Sequence, residues 1–213
     1  MRPMKVLIIG ATGGTGRQLV SQAIERDLTV TAFVRDPGKL PLAHPRLSVI
    51  RGNVLDASSV DRAVAGRDAV LCALGHKRWF YPNRILSSGT EQIIQAMQRH
   101  GVRRLVCETS LGVGSSFGRL GLYYTLFTIP FILPFYYWDK SRQETVIRNS
   151  RLDWTIVRPG LLNNRRARGV VRHGAAVGNW IWTVRISRAD VAAFMLDQLT
   201  DDAYLHQTPG VSW

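Results

Sequence analysis

KVLIIGATGGTGRQLV, Lys5 to Val20, is the stretch whose reading decides the fold. An apolar run of strand length stops at Gly10, and an amphipathic run opens after Gly16. Between them the spacing is Gly10-x-x-Gly13-x-x-Gly16, with Gly14 filling one gap. A strand, a glycine turn and a helix start in that order form the context in which a dinucleotide is held. Gly10 permits the tight turn, Gly13 lets the backbone approach a pyrophosphate, and Gly16 lets the helix pack on the strand. The helix N-terminus then aims its N–H groups at the phosphates, with Thr12 and Thr15 adding hydroxyl donors. No Gly-Lys-Ser/Thr follows, so a P-loop is excluded.

Beyond this stretch, strand-length apolar runs alternate with helix-period segments: LTVTAFV, LSVIRGNV then SSVDRAVA, DAVLCALG then GTEQIIQAMQRH, RRLVCETS, KSRQETVIRNS, DWTIVRPG and RADVAAFMLDQL. That order calls for a parallel sheet covered by helices on both faces. Runs without polar alternation fit strands buried on both sides. The expected fold is α/β, a Rossmann-type doubly wound parallel sheet in a single domain over residues 1–213, with a small C-terminal appendage on the substrate side. Asp36 before Pro37, and Asp139 before KSRQE, read as helix N-caps.

The end of the second strand, TAFVRDP, bears on the type of cofactor. Asp36 lies about twenty residues past Gly16, where an acid grips a ribose 2′-hydroxyl and favours NAD. Arg35 lies just past the strand, and Arg17 opens the first helix close by. Two guanidiniums clamp a 2′-phosphate by bidentate contacts. The arginines favour NADP(H) over NAD(H).

A net charge of +13 attracts nucleic acid, a membrane surface or an anionic ligand. The arginines are spread along the chain, densest in NNRRARGVVRH, and no recognition helix or aromatic–basic interleaving accompanies them. Nucleic acid is therefore not expected as a partner. Cys72 and Cys107 sit in strand-like runs and read as buried free thiols of a reducing compartment. The five histidines and two cysteines have no metal-ligand spacing, so no metal is expected. With no secretory leader pattern at its start, the chain reads as cytoplasmic.

With IIGATGGTG, FVRDPGKL, VIRGNVLDASSV, DAVLCALG, VRRLVCETSLGVG, LDWTIVRPG and ISRADVAAFML on view, the chain resembles the atypical short-chain dehydrogenases/reductases. The likeness is to the NAD(P)H-binding, NmrA-like group that includes biliverdin-IXβ/flavin reductases. It implies further cofactor contacts: Asn53 and Val54 beside the adenine; Ala73, Leu74 and Gly75 under the nicotinamide-side ribose and phosphates; and Pro159, Leu161 and Leu162 at the carboxamide. It also implies that Ser110, at the end of LVCETS, faces the nicotinamide, with Thr109 as the neighbouring alternative.

The wider superfamily sets a tyrosine and a lysine four residues apart beside such a serine, the lysine lowering the tyrosine's pKa. YYWDK supplies Tyr136 and Lys140. If Asp139 caps the helix, however, Tyr136 falls outside it and the pair does not share a face.

The uncharged run LGLYYTLFTIPFILPFYYW, 120–138, nears a membrane span in length but is broken by Pro130 and Pro134. Within an apolar insertion over 116–138, it reads as a substrate wall or lid, or as a membrane-surface or homodimer patch at 120–138. A small hydrophobic or aromatic substrate follows from either. The expected activity is hydride transfer to a flavin, quinone or other hydrophobic planar carbonyl compound. Two alternatives stand beside it: an NADP(H)-sensing regulator without turnover, and an epimerase/dehydratase-type enzyme, for which few residues follow RPG.

Overall fold

In the computed structural model, residues 2–76 and 81–213 are described. The chain runs β1 (Lys5–Ile9), α1 (Gly14–Glu25), β2 (Thr29–Val34), β3 (Leu47–Arg51), α2 (Ala57–Val64), β4 (Ala69–Cys72), α3 (Ile85–Arg99) and β5 (Arg104–Glu108). It continues with α4 (Pro134–Arg148), β6 (Asp153–Pro159), β7 (Leu161–Asn163), β8 (Arg172–Gly174), β9 (Arg185–Ser187), α5 (Arg188–Asp197) and β10 (Gly210–Ser212). The main sheet has the order β3-β2-β1-β4-β5-β6-β10-β8, parallel except for β8, which pairs antiparallel with β10. The order reverses between β1 and β4, and the cleft at such a switch point is where open α/β sheets take ligands.

Successive residues of β1 enter different cores, which explains its unbroken apolar run. Val6 and Ile8 pack with Leu19, Val20 and Ala23 of α1 and Val191, Ala192 and Met195 of α5. Leu7 and Ile9 face Val60 and Val64 of α2, Ile93 and Met97 of α3, and Ile147 of α4. Each such side chain, removed from water, contributes on the order of 2 kcal/mol.

At the C-terminal end, β10 enters the main sheet beside β6 and brings β8 with it, while β7 and β9 form a separate parallel pair. Two expectations change. The helix carrying KSRQETVIRNS starts at Pro134 rather than at Lys140, with proline in its first turn, where a missing N–H costs nothing. Asp139 is therefore inside α4 and does not cap it. Its buried carboxylate instead accepts from Leu86 N (2.8 Å) and Ser87 N (3.1 Å), capping α3, whose own flanking residue Arg84 provides no side-chain cap. The middle of the apolar insertion, Tyr124–Ile132, winds as a π-helical segment, a rare form that gathers at functional sites. No helix among the described residues is long and apolar enough to cross a membrane.

Candidate functional site

The glycine turn closes tightly at the end of β1. Gly10 adopts φ +79°, and a β-carbon there would lie 2.4 Å from the carbonyl oxygen of Ala73 at the end of β4. A β-carbon at Gly16 would meet Gly10 O at 2.1 Å, so the first turn of α1 rests directly on the loop. Gly13 N–H donates to Gly10 O at 2.9 Å, and Gly13 begins α1 without a side-chain cap. The first-turn N–H groups therefore have no partner within the helix and face the cleft end of the sheet. Gly13 and Gly14 are exposed and Thr12 half-buried. Thr15 departs from expectation: its hydroxyl is buried and donates to Glu108 Oε1 at 3.0 Å, so it is directed into the fold rather than toward a phosphate.

Sequence reasoning missed the residue that covers this cradle. A β-carbon at Gly14 would lie 2.5 Å from both Cδ and Nε of Arg188, the first residue of α5. Arg188 also donates through Nη1 to Asn164 Oδ1 at 2.7 Å. An uncapped helix N-terminus, small residues and an overlying guanidinium together fit a pyrophosphate. Burial pushes the Glu108 carboxyl above its ordinary range, with Lys140, the Thr15 hydroxyl and Arg188 opposing that shift.

At the end of β2, Asp36 takes the cap role: its carboxylate accepts from Gly38 N at 3.1 Å in a short 3₁₀ turn. Arg17 reaches across to the same turn, donating to Lys39 O at 2.9 Å, and Arg35 is exposed immediately after the strand. Asn53 is exposed and Val54 buried at the end of β3, and Val54 packs where a side chain on Gly89 would clash at 2.8 Å.

Because α4 begins at Pro134, Tyr136 and Lys140 share one face of it, one turn apart. The objection raised by an Asp139 cap falls with the cap. Lys140 Nζ is buried, 5.7 Å from the Tyr136 ring centroid, and donates to Glu108 O (3.0 Å) and Leu74 O (3.3 Å). It thus ties the ends of β4 and β5 together, and among the described residues it forms no ion pair. Burial favours the neutral amine, but Tyr136, Cys107, Glu108 and Cys72 outweigh it and the net shift is upward, so the ammonium persists. The Tyr136 hydroxyl lies 3.8 Å from the β-carbon position of Gly75, in the Ala73–Leu74–Gly75 segment.

Ser110 lies at the same end of the sheet, but its hydroxyl pairs with Tyr137 rather than standing open: Oγ and Tyr137 Oη are 3.0 Å apart. Leu111 O lies 3.0 and 3.1 Å from the two hydroxyls and accepts from the one that does not donate to the other. Burial holds the Tyr137 phenol well above its usual range, so it is a neutral structural donor. Thr109, the alternative, is committed to Glu144 Oε1 at 2.9 Å. Pro159 O accepts from Leu111 N at 3.0 Å and Leu161 N donates to Val184 O at 2.9 Å, so these backbone groups are engaged within the fold; Leu162 is half-buried in β7.

Behind the site lies a buried ion pair that no local signal marks. Arg158 on β6 meets Glu144 on α4 through two bonds, Nε–Oε1 at 2.9 Å and Nη2–Oε2 at 2.6 Å. Arg148 adds a third contact at 3.0 Å. The insertion closes the far side: Leu120 and Ile129 pack with Leu111, Val113, Tyr137 and Val177 in a third apolar cluster next to Ser110.

This sheet order, with a glycine cradle at the switch point and a Tyr-x-x-x-Lys helix beside it, defines a Rossmann-type nucleotide-binding protein of short-chain dehydrogenase/reductase architecture. A family model described as NAD(P)H-binding matches residues 10–202, and the chain belongs to that family. A chloroplastic protein of Arabidopsis thaliana is 32% identical over 177 residues, covering 77% of this chain; the match spans 61% of that protein's length. Among solved structures, a short-chain dehydrogenase/reductase from Veillonella parvula in complex with NADP superposes with a TM-score of 0.83 at 21% identity, covering 100% of this chain and 95% of that one. ChuY, an anaerobillin reductase from Escherichia coli O157:H7, superposes with a TM-score of 0.80 at 23% identity, covering 98% and 97%. These two likenesses are of fold.

Proposed function

We propose that the protein is an NADP(H)-dependent oxidoreductase that reduces a flavin, a quinone or another hydrophobic planar carbonyl compound. The observation that carries this reading is the placement of Tyr136 and Lys140 on one face of α4, at the ends of β4 and β5. The nicotinamide, when bound, supplies the hydride. In this reading Tyr136 holds the acceptor oxygen and gives it a proton. The persistent Lys140 ammonium lies beneath its ring and favours the phenolate left behind. Leu120 and Ile129 contribute an apolar wall that excludes water. Arg17 and Arg35 flank the turn after β2, and Asp36 is occupied as a cap, which favours a 2′-phosphate over a bare ribose. The NADP bound by the Veillonella protein and the likeness to ChuY, an anaerobillin reductase, support the same direction.

The test is NADPH oxidation, followed by loss of nicotinamide absorbance, with flavins, quinones and linear tetrapyrroles as acceptors. Tyr136→Phe is expected to lower kcat by about 10²–10⁴-fold while leaving NADPH affinity in place. Arg35→Ala is expected to weaken NADPH, and not NADH, by roughly 10–100-fold, the loss of one charge-assisted contact. Tight NADPH binding with no turnover on any acceptor would reject the enzyme in favour of a cofactor-sensing regulator.

A further inference from the structure

The apolar insertion turns only one side inward. Its outer side joins a second segment of the chain in a single exposed surface. Leu122 N–H donates to Ile181 O at 3.2 Å, Asn179 N–H to Arg119 O at 2.8 Å, and the Trp180 ring lies over Gly118. The surface so formed carries Leu122, Tyr123, Phe127, Phe131, Trp180 and Trp182, all exposed; Phe131 is 75% and Trp182 74% accessible. An apolar patch this rich in aromatics is rare on a surface that meets only water.

Its charge is equally one-sided. No aspartate or glutamate occurs between Glu108 and Asp139, and none between Asp153 and Asp190. The face itself holds Arg119, beside Gly178 and Asn179, and the exposed Arg185, near Tyr124. Arg185 opens β9 three residues after Trp182.

We propose that this face docks on the surface of an anionic lipid bilayer. Tryptophan and tyrosine favour the headgroup level, the apolar side chains enter the acyl boundary, and the arginines meet lipid phosphates. A second copy of the chain suits the face less well. A two-fold interface sets a patch against itself, and here it would bring arginines together with no acid to answer them. With no helix of spanning length among the described residues, the attachment is peripheral. The opposite side of the insertion is the Leu120–Ile129 wall beside Ser110, so a docked molecule holds its cleft close to lipid-dissolved compounds. The docking itself does not depend on the reaction proposed above.

The experiment is flotation of the full chain with vesicles of phosphatidylcholine alone, or of phosphatidylcholine with phosphatidylglycerol, at low and high salt. Binding to the anionic vesicles that weakens with salt is expected. Phe131→Asp and Trp182→Asp should each lower it by about tenfold or more. Arg185→Gln should lower it by about fivefold. Since these side chains are exposed, circular dichroism and NADPH affinity should be unchanged in all three variants. Failure to float with either vesicle would overturn the proposal, as would equal binding to neutral vesicles. Concentration-dependent self-association that the aspartate variants abolish, without vesicle binding, would assign the face to a second copy instead.

Discussion

Replacing Glu144 by leucine tests how α4 is held against the sheet. The Glu144 carboxylate accepts two bonds from Arg158, at 2.9 and 2.6 Å, and one from Thr109 at 2.9 Å. The side chains of Glu144 and Arg158 are 4% and 2% accessible, so neither charge is shared with water. In Glu144→Leu the Arg158 guanidinium keeps only Ser115 Oγ, at 2.9 Å, among these partners. An uncompensated buried charge of this kind costs about 3–5 kcal/mol. For a chain of this length that corresponds to a fall in Tm of roughly 6–20 °C. Arg148 does not change the estimate, because its side chain is 42% accessible and its contact largely screened. The double variant Glu144→Leu/Arg158→Met removes both charges together and should recover to within about 1–2 kcal/mol of the parent. Urea unfolding of the four proteins, followed by circular dichroism, closes the cycle. A loss below about 1 kcal/mol in Glu144→Leu would refute the buried-charge reasoning. So would a double variant as unstable as the two single losses added together, since that is the signature of independent sites.

Three further outcomes are expected. Gly16→Ala places a β-carbon 2.1 Å from a backbone oxygen that cannot retreat; it should cost about 1–3 kcal/mol and abolish nucleotide binding, read by thermal unfolding and NADPH titration. Asp139→Ala removes the cap of α3 and should cost about 1–2 kcal/mol, with raised hydrogen exchange at Leu86 and Ser87. Asp190 shows the clearest pH dependence. Burial pushes its carboxyl up, but bonds from Arg168 N, Ser187 Oγ, Trp213 Nε1 and Gly169 N outweigh burial and hold it below its ordinary 3.8. A depressed folded-state pKa gives stability that is complete above 3.8 and lost as pH falls below it. Asp190→Asn should therefore be about 1–3 kcal/mol less stable at neutral pH, with the gap narrowing in acid unfolding curves below that value.

The sheet and the cradle were legible because their constraints are local. Gly16 is a glycine for a reason visible within seven residues, its contact with Gly10 O, and Val6 to Ile9 read as a strand because both of their faces are covered. The start of α4 was misread because an aspartate directly after an aromatic run and before a polar, helix-period segment has the form of an N-cap, while its partners, Leu86 and Ser87, lie some fifty residues away. Pro134 was the available signal for the true start. Arg188 and the Glu144–Arg158 pair carry no sequence signature at all, since each meets its partner only once helix and sheet have packed. Strands β7 to β10 have three residues each, too few for a period to show.

Helix α4 is bolted on several sides. Asp139 holds α3, Lys140 the ends of β4 and β5, Gln143 the hydroxyl of Thr90, and Glu144 the arginine of β6. It behaves as a keel: shifting it by even one ångström would break buried bonds to four neighbours at once. The stretch ahead of Pro134 has no such moorings on its outer side, where its large side chains stand in solvent. A displacement of the π-helical segment about the Leu133–Pro134 joint would thus leave α4, and with it Tyr136, where it stands.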